Sequence, residues 1–548
     1  MPRAGWRTPS GTPIEDIVQG KVRKMTQLLL SSALLAAVPA KTVWMNEDNQ
    51  HFYDHHGSEE MTAEGCRRLV DAYADTGAVT GILFCVNMQR ALYDSDVWER
   101  FKDQPTDHVY PRHLRLRSDR KVDQFKEWLG RCRERNVAAW LSMRMNDSHG
   151  LGEVAFNLPQ GHTLWPSELW RKRPEWRRAP YRYEHSWEGS YNYLVPEVYE
   201  HHLKLVREIL SKWDMDGLEL DWMRWAMHFP PGGELEGRQV LTRFVRDVRK
   251  LADEAGKRLG HRVRLGHRVP PDPETCLRFG YDVGAWADAG AIDMLTLADF
   301  GNGTPNDTPV EIWRRLLKPG TVINCGIAYG YVKGAPYNLV GGDEVLRGSA
   351  ASAWACGADG VYLFNECYRE PRQMKSLETY MRDISSIDCL NATSRRSAVT
   401  EREALPGYSA QNVLPYALKL RFGGHALRRM DPTVTLRITT GKVAPDAVCE
   451  LSLAFDAATD EQALKELPVR VNTRPLEFVR RIDLDPNRVD PSKIWVICKD
   501  YPRDAKTALV YRVPASVLHE RENAIEIFPP ANAGGAIVWA DIRIAAPQ

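Results

Sequence analysis

The chain has 548 residues, and its 73 Lys and Arg nearly cancel its 72 Asp and Glu. With 43% hydrophobic and 26% charged residues it has a globular composition and more length than one ordinary domain needs. That balance excludes an overall field that would recruit nucleic acid or an anionic membrane surface, and no run of 18 apolar residues exists to span a bilayer.

Residues 1–40 read as an N-terminal extension. Lys21, Arg23 and Lys24 precede the apolar stretch Leu28–Ala40, which ends in a small-residue AVPA like a signal-peptide cleavage region. An uncleaved amphipathic helix beginning near Ile14 fits the same letters. A cleaved signal implies a secreted or periplasmic protein, an uncleaved helix a cytoplasmic one.

From Lys41 short apolar strands alternate with amphipathic helices, the pattern of parallel βα units. Strands are expected at 41–48, 79–87, 137–147, 216–224, 263–270, 292–300, 321–329 and 360–368. Helices are expected at 62–75, 121–135, 197–212, 236–258, 281–289, 309–316, 343–356 and 371–385. In 236–258, Val240, Leu241, Phe244, Val245, Val248 and Leu251 are spaced for one apolar face. Eight strands, each followed by a helix, predict a (β/α)8 TIM barrel over 41–390. An open doubly wound sheet would carry a Gly-rich loop after its first strand, and WMNEDNQHF has no such glycines.

The third βα connection, about 147–196, is long and rich in aromatics. Trp165, Trp170, Trp176, Trp187, Tyr191 and Tyr193 are expected to wall a cleft at the barrel mouth. After Asp388 a polar linker is expected at 391–406. From 407 to 548 many short alternating strands predict an all-β sandwich, and VYRVPASVLHERENAIEIF followed by VWADIRI resembles the tail of galactose-binding-like jelly rolls attached to glycosidases, which implies a jelly-roll-like form. The ten cysteines include no CxxC pair, and several lie in apolar runs, so buried free thiols are expected.

Catalytic groups of such barrels stand at the C-terminal ends of the strands. Strand one ends in Asn46, Glu47, Asp48 and His51, strand two in Asn87, and strand three in Arg144, Asn146 and Asp147. Strand four ends in Glu219, Asp221 and Arg224, and strand five in His267 and Arg268. Strands six to eight end in Asp299, in Asn324 and Tyr329, and in Asn365 and Glu366. Carboxylates, amides and bases with no serine or cysteine in a nucleophile setting suit acid/base chemistry on a polyhydroxylated substrate. Glu219 and Asp221 alternate onto one face and are expected inside the barrel. The histidines of HFYDHH lack a matching downstream pair, so no metal and no cofactor are expected.

The fragment NYLVPEVYEHHLKLVREILSKWDMDGLELDWMRW resembles the fourth-strand region of glycoside-hydrolase-like barrels of the family-10-like type. The likeness covers about 35 residues in letters and the barrel in architecture. It implies a nucleophilic role for Asp221, with the acid/base at Asp299, where several retaining α-glycosidases carry theirs; Glu366 competes. Trp222 and Met223 stand where a second Asp often follows, and the Asn-Glu pair of true family-10 xylanases is missing.

The expected function is therefore glycoside hydrolysis by two carboxylates, with a carbohydrate as partner. Glu219, Arg224, Asp48, His51, Asn87, Arg144, Asn146, Trp187, His267, Arg268 and Tyr329 are expected to bind substrate. The alternatives are a polysaccharide lyase acting on an acidic sugar, with Tyr329, His267 or Arg144 handling the proton, and a non-catalytic carbohydrate-binding barrel.

Overall fold

In the computed structural model, eight parallel strands close in sequence order, and β1 pairs with β8 to seal the barrel. They are β1 (Thr42–Glu47), β2 (Gly81–Cys85), β3 (Ala138–Arg144), β4 (Gly217–Asp221), β5 (Arg264–Val269), β6 (Met294–Leu297), β7 (Val322–Ala328) and β8 (Gly360–Phe364). The structure describes residues 41–151, 165–181, 186–298, 308–328, 343–364, 371–400, 433–456, 459, 464–465, 467–484, 505–529 and 537–546.

Helices α1 (Gln50–His55) and α2 (Ala63–Ala74) follow β1, and α3 (Val109–Asp119) and α4 (Gln124–Glu134) follow β2. After β3 come α5 (Glu168–Lys172) and α6 (Pro196–Lys212); after β4 comes the long α7 (Glu234–Leu259). Helices α8 (Pro273–Arg278) and α9 (Val283–Asp288) follow β5, α10 (Val310–Leu316) follows β6, and α11 (Asp343–Ala355) follows β7. After β8 come α12 (Pro371–Ser385) and α13 (Ile387–Ala392). Local chemistry sets many of these ends. Thr62, Asp123, Ser167, Asp272 and Asp282 each cap a helix with a side-chain oxygen, and Gly260 ends α7 at φ 80°. Among the described helices none is long and apolar enough to cross a membrane.

The barrel interior is divided by height. Its lower part is apolar, filled by Trp44, Leu83, Trp140, Met294 and Tyr362. Trp140 needs room there. A Cβ on Gly217 would come within 2.6 Å of its ring, and one on Gly266 within 2.9 Å. Gly217 thus serves packing. Above this layer the inward side chains turn polar.

The C-terminal region forms two antiparallel sheets. One has the order β10-β16-β12-β13 and the other β14-β15-β11-β17-β9. Their strands are β9 (Arg395–Thr400), β10 (Val434–Thr439), β11 (Cys449–Asp456), β12 (Val469–Val471), β13 (Arg474–Pro475), β14 (Glu477–Asp483), β15 (Ala505–Val513), β16 (Glu522–Ile527) and β17 (Ile537–Ile544). Leu436, Ile438 and Ile525 of the first sheet share a core with Leu451, Leu453 and Ile542 of the second, so the pair is a β-sandwich.

The stretch 391–406, expected as a linker, holds β9, which pairs along its length with β17. Arg396 on β9 bonds Asp541 at 2.9 Å and Glu344 of α11 at 2.7 Å. Glu344 also takes Arg543 at 2.9 Å. Gly348 of α11 leaves space for this docking, because a Cβ there would run into the carbonyl of Arg396.

The long third connection is less open than expected. It carries α5 and 3-10 turns at Pro174–Trp176 and Ser186–Gly189. Trp170, Trp176, Trp187, Tyr191 and Tyr193 join the main hydrophobic core instead of lining an open wall. The Trp170 indole donates to the carbonyl of Gly189 at 2.7 Å, and Tyr193 donates to that of Met145 at 2.6 Å. Rings of this size stabilise most when fully covered, and among the described residues of the segment these five are buried. The described cysteines are free, and all but Cys389 are buried.

Candidate active site

The fourth strand brings its two carboxylates inside, one above the other. Asp221 stands at the strand's end and is only 2% exposed. Its Oδ1 accepts the backbone N–H of Met223 at 3.0 Å and of Arg224 at 3.1 Å, an Asx-type turn that fixes the carboxylate. Arg268 of β5, the register partner of Asp221, approaches Oδ1 at 3.3 Å and Oδ2 at 3.4 Å. These are long contacts, so Oδ2 keeps most of its accepting capacity.

One layer below, Glu219 is fully buried. Its Oε1 accepts Ser142 Oγ at 2.8 Å and Tyr362 Oη at 2.9 Å. Burial pushes its carboxyl up to about 7, the nearby Asp221 adds to this, and Arg268 and the two hydroxyls partly oppose it.

Phe364, which ends β8, lies under two guanidinium groups. Arg268 sits 3.9 Å from its ring centroid and Arg224 5.3 Å. Arg224 also donates to His149 Nε2 at 2.9 Å, while His149 Nδ1 donates to Asp147 at 2.8 Å. Burial lowers the His149 pKa, Asp147 opposes this and Arg224 adds to it, so the ring is neutral and can accept from Arg224. Asp147 in turn takes Arg144 at 2.9 Å, and Arg144 takes Asp48 at 2.8 Å. Burial raises the Asp147 pKa, but His149, Arg144 and Arg224 together hold it below the usual carboxylate range. A continuous chain of charge-assisted bonds thus runs around the rim from β1 to the turn after β4. Trp225, at the end of that turn, has φ 67°, a left-handed backbone that a bulky side chain rarely adopts.

Several residues expected to bind substrate make hydrogen bonds within the protein. Asn87 spends its amide on the carbonyls of Met88 and Arg144 and accepts the Arg144 N–H, bracing β2 against β3. Asn146 ties Tyr191 to Met227 in the same manner. His267 faces outward. Adjacent strand residues point to opposite faces, and with Arg268 inside, His267 lies between Trp222, at 3.1 Å, and the Ala291 carbonyl, at 2.9 Å. His51 lies beside the fully buried Glu47 at 3.4 Å. Burial lowers its pKa, but Glu47 and Asp48 outweigh this and raise it. Asp48 and Arg144 are locked in the rim network, and Trp187 is core. Asp299, Tyr329 and Glu366 lie outside the described residues. No group of three His, Cys, Asp or Glu suited to a metal occurs among the described residues.

Ser142, Tyr362, Phe364 and His149 were not anticipated. The first three follow from the same alternation that turns Arg144 and Trp44 inward. His149 carries no sequence signal beyond its nearness to Asp147.

No family model matches the chain, and no curated protein matches it in sequence. Solved structures do match. α-L-Fucosidase isoenzyme 2 from Paenibacillus thiaminolyticus is 13% identical, with a TM-score of 0.41 over 66% of this chain and 52% of its own. A cycloisomaltooligosaccharide glucanotransferase from Paenibacillus sp. is 10% identical, with a TM-score of 0.31 over 93% and 58%. An α-galactosidase from Geobacillus stearothermophilus is 12% identical, with a TM-score of 0.34 over 87% and 55%. The chain spans a little over half the length of each, and none of them singles out the family-10-like barrels that the fourth-strand segment resembles.

Proposed function

We propose that the barrel is a glycoside hydrolase acting on a poly- or oligosaccharide, with Asp221 as the reacting carboxylate. The observation that carries this reading is the setting of Asp221 at the end of β4, anchored through Oδ1 by two backbone N–H groups while Oδ2 remains weakly engaged. A carboxylate so fixed at the barrel mouth suits attack on, or charge stabilisation of, an anomeric carbon. In the proposed reaction a carboxylic acid protonates the departing glycosidic oxygen as its bond to the anomeric carbon breaks. Water then bonds through its oxygen to that carbon and yields its proton to a carboxylate of the site, so that the proton given to the leaving group is replaced. Asp299 and Glu366 are the candidates for the acid.

The lyase alternative loses two of its three candidates for proton handling, since His267 faces away from the mouth and Arg144 is committed to Asp48 and Asp147. The deciding experiment is an oligosaccharide panel. New reducing ends support hydrolysis, absorbance from an unsaturated product means lysis, and binding with neither means a non-catalytic barrel.

A further inference from the structure

The Glu219 carboxyl is held asymmetrically. Both hydroxyls that reach it end on Oε1. Oε2 is buried and has no hydrogen-bond partner among the described residues. An ionised carboxylate has two equivalent oxygens that both call for donors, whereas a carboxylic acid has one carbonyl oxygen to accept and one hydroxyl. Protonation leaves an uncharged hydroxyl at the unpartnered Oε2 in place of a buried negative oxygen with no donor, and so costs less.

The surrounding charges agree. Arg268 on β5 faces the pair and is closest to Asp221. Arg144 on β3 is engaged by Asp48 and Asp147. Ser142 of β3 and Tyr362 of β8 approach Glu219 as neutral hydroxyls, and Thr296 and Asn324 on β6 and β7 are uncharged. Among the described residues one guanidinium therefore faces two buried carboxyls, and a second ionised one would be left uncompensated by them. Asp221 holds two N–H donors besides the arginine, so it is the better host for the charge.

We propose that Glu219 is a positioning residue that carries the single proton of the Glu219–Asp221 pair, so that the charge resides on Asp221 at the mouth. The proposal rests on the reading of Asp221 as the reacting carboxylate. Its function would be to keep the second carboxylate from forming beneath the first as Asp221 works. Losing that proton at higher pH would place like charges on adjacent inward positions and pull Arg268 away from Asp221.

Difference infrared spectroscopy on the full chain tests this without a substrate. Slightly below neutral pH the wild type should show a protonated-carboxyl stretch that Glu219→Gln lacks. In Asp221→Asn the band should persist, with its titration midpoint moved to lower pH, because the neighbouring negative charge is gone. A wild type without the band, a band that survives in Glu219→Gln, or a midpoint unmoved in Asp221→Asn would overturn the proposal. If Glu219→Gln does not fold, the midpoint shift in Asp221→Asn decides alone. Once a substrate is identified, the alkaline limb of kcat/KM should move to higher pH in Glu219→Gln, an effect that a purely structural Glu219 would not give. Loss of the function reading looks different: Asp221→Asn would then keep its turnover while the infrared result stood.

Discussion

Arg144 of β3 reaches past β2 to hold Asp48 of β1 at 2.8 Å, and the same guanidinium takes Asp147 at 2.9 Å. All three side chains are almost completely buried. Replacing the cation while leaving two carboxylates inside is therefore the damaging change. Arg144→Met is expected to lose about 3–5 kcal/mol of stability, read as a fall in the urea midpoint. A loss under about 1 kcal/mol would mean that water or another group already compensates these carboxylates.

Asp221→Asn is expected to fold as the wild type does and to lose nearly all turnover, because the charge it supplies matters most in the transition state. Thermal melting checks the fold, and steady-state kinetics on a panel-selected oligosaccharide checks the chemistry. Retention of more than about a tenth of kcat, a loss of less than roughly 1.4 kcal/mol, would remove Asp221 from the reacting role.

Trp187 was expected to wall a substrate cleft, and it lies in the core. Trp187→Ala should accordingly cost about 3–5 kcal/mol in stability. A drop in melting temperature is the predicted readout. A raised KM in a protein of unchanged stability would restore the cleft-wall role.

Acid should weaken the fold through its buried histidines. Burial lowers His202 and His267 to about 4 and His228 to about 3, from an ordinary 6.5. The unfolded chain takes up these protons first as pH falls below 6.5, so their stabilising contribution is complete above that value and is lost as pH falls towards 4 and 3. Glu219, raised to about 7, works in the opposite direction over part of the window. His149 and His201, also lowered by burial, add to the loss; His51, raised beside Glu47, joins Glu219 against it, and the lowered histidines prevail. Denaturation midpoints followed from pH 7 to pH 4.5 should fall, and the ring resonances of His267 should remain those of the neutral form at pH 5.

Gly348→Ala tests the docking of the sandwich on α11. Alanine ordinarily favours a helix over glycine by about 1 kcal/mol. Here its methyl would meet the backbone of β9, which is fixed by pairing with β17 and has little room to shift. The steric effect is expected to win, with a loss of about 1–3 kcal/mol. A rise in melting temperature would show that β9 is free to move.

The barrel was legible in the sequence because strands buried on both sides read as apolar runs, and the long helices between them carry a clear apolar face. α3 was not, since VYPRHLRLRSD buries Tyr110, His113, Leu114 and Arg117 behind a mostly charged surface. At the site, strand alternation accounts for some orientations and not for others. Glu219, Asp221 and Arg268 are where strand alternation puts them, and the same rule assigns His267 to the opposite face once Arg268 is placed inside. The roles of Asn87 and Asn146 depend on carbonyls contributed by other strands and loops, which no local pattern announces. The tryptophans of the third connection gave the right composition for a cleft wall, but hydrophobicity alone does not tell a covered ring from an open one.

β9 has one further consequence, for any attempt to separate the two regions. It belongs to the sandwich by hydrogen bonding and to α11 by packing, and residues 42–548 form a single compact unit. A sandwich fragment starting at residue 407 would leave β17 paired to β11 on one side only, with a bare row of amides and carbonyls on the other. Exposed rows of that kind recruit strands from neighbouring molecules. The fragment would be prone to fibrous or amorphous self-association through β17, the edge that β9 covers in the intact chain.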